Sequence, residues 1–410
     1  MKRILSALAL LLAVQAADAQ VKSPEAAKKA VLAAEEAAQN PKKNTKVATW
    51  LKLASSYMDA YDAPVGNILV NSPRVQLQMM MGNEKPVSVE DVVVDGAPFK
   101  KEVYANKNLY FDGTDVLRIV EVTVPVFEDP LANALEAYAK AYEVDVKKSK
   151  EKDIKTGIQS IQQKYFIDGM NQYSLGDYKK AGELLGKAAK ASETAPNSVV
   201  DTTSLYNAGY IYWASKDFET AKTYFERCLA ENYFYENGEV YAKLGDVYFN
   251  LGDKPKGVET LEAGFVKFPQ SQSILIGLIN YYIESGENTD RLFELIGEAK
   301  KNEPENVSLY YVEGNIHKQL GDYDKAVMLS EKAQNEFDDA KYNALVKEYE
   351  QALLDAIEPF EKAFEVSQND MVKLNAAEYL KNIYYRFSSV EDKYMQGYNK
   401  YNEYVKANAQ

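Results

Sequence analysis

Cysteine and histidine are almost missing from this 410-residue chain, which has one of each, Cys228 and His317. A single cysteine excludes an intrachain disulfide and a thiolate cluster, so stability must come from packing. A single histidine excludes the His-x-x-x-His pair of a zinc hydrolase. There is no Gly-x-Ser-x-Gly nucleophile elbow. The run Gly182-Glu183-Leu184-Leu185-Gly186-Lys187 has neither the spacing nor the hydroxyl residue of a phosphate loop. These absences argue for no catalytic residue, no metal and no cofactor. Positive charge is also scarce. The formal charge is −13, which disfavours nucleic acid and anionic lipid as partners, since both need clustered Lys and Arg. Beyond the first few residues no apolar stretch reaches transmembrane length.

Residues 1–19 have the three parts of a secretory leader. Lys2-Arg3 form a basic start, Ile4 to Val14 a short apolar region, and Ala17-Asp18-Ala19 a small-residue cleavage site. No cysteine follows that site, which argues against a lipoprotein anchor. Cleavage removes Lys2, Arg3 and Asp18 and moves the formal charge to −14. An exported, disulfide-free chain with such a leader is expected in the periplasm of a Gram-negative bacterium, with no membrane insertion after cleavage.

A unit of about 35 residues recurs through the C-terminal three-fifths of the chain. Four copies align on Gly169, Gly209, Gly245 and Gly314, with a degenerate copy at Ile279. Three residues later come Tyr212, Tyr248, His317 and Tyr282. Seven residues after the glycines come Gly176-Asp177, Lys216-Asp217, Gly252-Asp253 and Gly321-Asp322. Small positions follow at Ala181, Ala221, Gly257 and Ala326, then at Ala188, Cys228, Gly264 and Ala333. Two amphipathic stretches per unit, with small residues where helices must approach closely, predict an all-α helical-repeat solenoid. His317 and Cys228 occupy a Tyr slot and a small-residue slot, so both read as packing residues.

Tyr241, Leu244, Gly245, Tyr248, Gly252, Leu261, Gly264 and Pro269 form the best copy. It resembles the tetratricopeptide repeat family, with Gly257 in place of the usual Ala. The resemblance implies a helix-turn-helix array whose first helices line a concave groove. It places Phe166, Met170 and Tyr173, then Tyr206, Tyr210 and Trp213, then Asp246 and Phe249, Asn280, and Tyr311, Asn315 and Lys318 on the groove face. From these, Tyr206, Tyr210, Trp213, Phe249, Asn280, Tyr311 and Asn315 are the candidate ligand-binding residues. The family's clamp for a C-terminal carboxylate needs Lys at early groove positions that lack it here.

Around the array the chain divides as follows. Residues 20–62 form N-terminal helices that include the first half of a split repeat. Its second half and a connecting helix occupy 130–163. The repeat array spans 164–368 and capping helices span 369–410. Residues 63–129 interrupt the split repeat with β-rich runs at Val75 to Met81, Ser88 to Val94, Pro98 to Tyr104, Asn108 to Phe111 and Val116 to Phe127. Asp95-Gly96 and Asp112-Gly113 are placed to turn hairpins. A small antiparallel β insertion is expected there.

The functional expectation is a non-enzymatic exported scaffold that binds a protein or peptide segment in its groove. Rings would pack the ligand's side chains and amides pair with its backbone. Two alternatives stay open: binding of a carbohydrate or envelope polymer through the aromatic groove or the insertion, and service as an accessory subunit of a secretion or outer-membrane assembly machine.

Overall fold

The computed structural model describes residues 21–286, 288–320 and 339–408. The expected leader and the copy at Gly321-Asp322 with Ala326 and Ala333 lie outside the described residues. The chain forms two compact units, Met1–Tyr233 and Phe234–Gln410.

The first unit opens with α1 (Pro24–Gln39) and α2 (Val47–Asp62). Ser23 caps α1 by accepting from the Ala26 N–H, and Pro24 sits at the first helical position, where no donor is needed. Ala27, Val31, Ala34 and Ala38 form one buried stripe of α1. They join Leu53, Ala54, Tyr57 and Ala60 of α2 and Leu131, Ala134 and Ala137 of α4 (Pro130–Val144) in one apolar cluster. Thus α2 and α4 pack together although the insertion separates them in sequence. Next come α5 (Glu151–Ser174), α6 (Tyr178–Glu193), α7 (Thr202–Ala214) and α8 (Phe218–Ala230). The expected boundary between residues 163 and 164 falls inside α5, a single helix of 24 residues.

The Gly-Asp motif is one structural device used at least three times. Gly176, Lys216 and Gly252 all have positive φ, at 84°, 65° and 84°. The N–H of each following Asp bonds back to a carbonyl five residues earlier: Asp177 to Gln172 at 3.0 Å, Asp217 to Tyr212 at 2.8 Å and Asp253 to Tyr248 at 2.9 Å. That bond and its inner companion close the first helix in a Schellman turn. The same Asp then caps the second helix, accepting from the N–H of Lys180, Thr220 or Lys256 at 3.0, 3.2 and 3.2 Å. One dipeptide ends one helix and begins the next.

The glycine that begins each register lets the helix pair close. A Cβ added at Gly169 would lie 2.8 Å from Leu185 Cγ, one at Gly209 2.9 Å from the Phe225 ring, and one at Gly245 2.6 Å from Leu261. Leu185 and Phe225 are fully buried, each stabilising its pair by about 2–3 kcal/mol.

The insertion holds a helix, α3 (Arg74–Met81), and a four-stranded antiparallel meander in the order β1-β2-β3-β4. The strands are β1 (Ser88–Val94), β2 (Ala97–Val103), β3 (Lys107–Phe111) and β4 (Leu117–Val122). Asp95-Gly96 turns β1 into β2 with positive φ at both residues, 49° and 77°, as a two-residue hairpin of this hand requires. Val75 to Met81, expected as a strand, is helical. Its apolar residues alternate like a strand, but Leu, Gln and Met favour helix, and Pro73 at the N-cap starts one. The helix lays Leu77 and Met81 on Leu109, Phe111 and Leu117, which share one sheet face. The opposite face, with Val94, Tyr110 and Ile119, packs on Leu175 at the end of α5.

The second unit has a 3₁₀ turn (Glu236–Gly238), α9 (Glu239–Asn250), α10 (Lys254–Lys267), α11 (Gln272–Ser285), α12 (Thr289–Asn302) and α13 (Val307–Leu320). It continues through α14 (Asp339–Asp355), α15 (Ile357–Val366), α16 (Asp370–Phe387) and α17 (Asp392–Asn408). Tyr401 of α17 is fully buried and stacks on Tyr384 of α16 at 5.8 Å. Both phenols donate to Glu361 at 2.9 Å. No helix among the described residues is long and apolar enough to cross a membrane.

Candidate functional site

In the unit Met1–Tyr233 the candidate rings come from α7, with contributions from α5. Residues four and three apart on one helix share a face, and here they bring Tyr206, Tyr210 and Trp213 into one run. Tyr206 and Tyr210 have ring centroids 6.4 Å apart, and Tyr210 and Trp213 are 5.5 Å apart. The three are not equivalent. Tyr206 is only 6 % exposed and lies against Phe225 and Tyr233, so its ring fills the seam with the following helix and does not line a groove. Tyr210 and Trp213 are half-buried. Met170 is likewise buried, in the cluster with Leu185 and Ile211.

Tyr173, at the last turn of α5, completes this surface. Its ring lies 5.7 Å from that of Tyr178. Burial raises the Tyr173 phenol above its ordinary pKa, and Tyr210, Tyr178 and Asp95 add to the shift. Asp95 belongs to the β1–β2 turn. The hairpin tip therefore stands close enough to act electrostatically on the aromatic surface, a relationship the repeat register gives no sign of.

The carboxylate Asp168 lies further back on α5. It accepts from the Tyr61 hydroxyl at 3.0 Å, while Lys164 pairs with Asp62 at 2.6 Å and lies over the Tyr61 ring. Burial pushes Asp168 up to about 6, against the opposing pull of Tyr61, Lys164 and Lys180.

In the unit Phe234–Gln410, Phe249 stacks on Tyr281 at 5.6 Å and covers Gly257 of its own repeat. Asn280 is exposed. Tyr311 meets Phe360 edge-on at 5.9 Å, and its hydroxyl lies beside the side chains of Asn375, Asn315 and Tyr379. Asn315 thus stands beside Tyr311, and Asn375 and Tyr379 of α16 are neighbours missed in the sequence, where the register fades. Asp246 is half-buried, and the side chain of Lys318 lies outside the described residues.

His317 stacks on Phe293 at 4.3 Å, and burial lowers its pKa. Cys228 is fully buried, and burial pushes its thiol up to about 12, which removes thiolate reactivity at neutral pH. Among the described residues no three His, Cys, Asp or Glu side chains gather as a metal site would require.

A fold of paired helices closed by a repeated turn, with half-buried rings on the first helix of a pair, defines a helical-repeat scaffold of the protein-binding kind. The tetratricopeptide repeat family model matches residues 202–233 and 307–335. In step with the repeat register, these matches identify tetratricopeptide repeats within the chain. A relative among curated proteins, the BBSome complex member BBS4 of Bos taurus, is 25% identical over 155 residues. The match covers 38% of this chain and 28% of that protein, so this chain spans little more than a quarter of the relative. Among solved structures, a TPR repeats protein from Bacteroides fragilis NCTC 9343 is 16% identical with a TM-score of 0.34, over 53% of this chain and 97% of that one. YrrB, a TPR protein with an unusual peptide-binding site, is 17% identical with a TM-score of 0.33, over 60% of this chain and 99% of that one.

Proposed function

We propose that the protein is an exported, non-enzymatic scaffold that holds an extended segment of a partner protein against the Tyr173–Tyr210–Trp213 surface. The observation that carries this reading is the half-burial of Tyr210 and Trp213, joined ring to ring. Each ring is held by its neighbour while part of its surface reaches solvent. Such rings lose little conformational entropy on binding and serve as anchors. The leader at residues 1–19 supports a periplasmic location, which an intact-mass measurement of the secreted product would test by locating cleavage after Ala19.

Crosslinking in envelope extract followed by mass spectrometry should capture a protein partner. Against that partner, Trp213→Ala and Tyr210→Ala should each weaken binding by about 2 kcal/mol while leaving the melting temperature nearly unchanged. Unchanged affinity, or affinity and melting temperature falling together, would show that the rings only pack. A glycan array separates the competing sugar reading: Trp213-dependent binding to a glycan would replace the peptide assignment.

A further inference from the structure

The acidity of the chain as a whole conceals an uneven distribution. Between Ala37 and Met58 there are four lysines and no acidic residue. Lys42, Lys43 and Lys46 are exposed in the turn between α1 and α2. The turn between α4 and α5 exposes Lys147, Lys148 and Lys150, and Lys152 follows in the first turn of α5. These two turns lie at the same end of the unit Met1–Tyr233. Val47, Trp50 and Leu51 at the start of α2 pack with Ala141 and Tyr142 near the end of α4 and with Ile154 and Ile158 at the start of α5.

Both turns are held in shape. The Trp50 indole N–H donates to the Asn44 carbonyl at 2.7 Å. Asp145 accepts from the backbone N–H of Ser149 at 3.1 Å and of Lys150 at 2.7 Å. Of the carboxylates in and beside the second turn, Glu143 pairs with Lys140 and Asp153 with Lys150, while Asp145 and Glu151 make no ion pair among the described residues. Among the described residues Lys42, Lys43, Lys46, Lys147 and Lys152 make no ion pair. Val146, immediately before Lys147, is 87% exposed.

We propose that this end of the unit docks peripherally on an anionic phospholipid bilayer, its lysines meeting the phosphate headgroups and Val146 entering the interface. Charge complementarity selects an anionic partner. The form of the charge selects a bilayer over an acidic protein segment. Neither turn contains an arginine, so no planar fork is present to fix a carboxylate, and compact lysine charges suit a laterally mobile array of headgroups. An exposed apolar residue beside them would gain from a membrane interface.

The test is co-sedimentation of the chain from Gln20 onward with phosphatidylcholine vesicles, made with or without phosphatidylglycerol. Binding is expected only with phosphatidylglycerol, should vanish at high salt, and should weaken about fivefold for each lysine removed near the surface. Two variants probe the turns separately, K42Q/K43Q/K46Q and K147Q/K152Q, each checked for unchanged circular dichroism; if one misfolds, the other decides. Equal binding to neutral vesicles, no binding, or parental binding by the folded variants would overturn the proposal. Poly-glutamate supplies the remaining arm: lysine-dependent binding to it without vesicle binding would identify a protein dock and sink the bilayer assignment.

Discussion

Lys216 holds a backbone conformation that its counterparts leave to glycine. Its φ of 65° matches the 84° of Gly176 and Gly252, and all three sit in the same hydrogen-bonded turn. A side chain in this region costs about 1–2 kcal/mol, part of which glycine returns as unfolded-state entropy. Lys216→Gly should therefore stabilise the protein by roughly 0.5–1 kcal/mol. A higher denaturant midpoint at unchanged slope would show it, and an unchanged or lower midpoint would refute the strain argument. Asp168 gives a second residue-scale expectation. Its folded pKa, about 6, lies above the ordinary 3.8, so the folded state binds the proton more tightly. The resulting penalty is fully present above pH 6 and disappears as pH falls below about 4. The groups facing it are Tyr61 and Asp62 on α2, Lys164 on α5 and Lys180 on α6. Asp168→Asn should raise stability by about 1–2 kcal/mol at neutral pH, with the gain shrinking towards pH 4. A pH-independent difference would exclude this account.

Asp129 joins three helices where the chain returns from the insertion. It caps α4 through the Ala132 N–H at 3.0 Å, and it accepts from the Tyr165 hydroxyl of α5 at 2.7 Å and Lys187 of α6 at 2.8 Å. Burial acts to raise its pKa, but the bonds from Lys187, Tyr165 and Ala132 outweigh it and hold the carboxyl below its ordinary range. Asp129→Ala should cost about 2 kcal/mol, more than an ordinary cap, because it leaves a phenol and a backbone donor unpaired. Equilibrium unfolding decides, and a loss no greater than that of Asp217→Ala would show that only the cap matters. What could be read from sequence at this scale follows from how local each signal is. The turn devices at Gly176-Asp177 and Gly252-Asp253, and the Asp95-Gly96 hairpin, lie within a few residues and were legible. Residues 75–81 misled because alternating apolar residues were also good helix formers. At the candidate surface, the register put Tyr206 beside Tyr210 and Trp213, but its burial depends on Phe225 and Tyr233 from the next helix and turn. The approach of Asp95 to Tyr173 depends on a sheet packing over Leu175, which no periodicity encodes.

At the scale of the molecule, stability in a helical array is a sum of pair interactions between neighbours, with no central core to lose. The unit Met1–Tyr233 has its own apolar clusters around α2–α4 and α5–α7. A fragment of residues 20–233 should be helical and melt in a cooperative transition, followed by circular dichroism and calorimetry. A broad, non-cooperative melt would mean that the second unit is needed for it to fold.

The packing of α2 on α4 across the insertion has a practical consequence. The chain leaves the array after Asp62 and re-enters at Asp129, while α2 and α4 close into a helix pair across that gap. The gap is a socket: it accepts a folded body of foreign architecture and hands the chain back in register. A reporter domain with adjacent termini, exchanged for residues 64–125 so that Val126 and Phe127 stay packed on α2 and α4, should leave the array intact and display its cargo beside Leu175. The same port offers evolution a way to alter what stands over Tyr173 and Tyr210 without touching a single repeat.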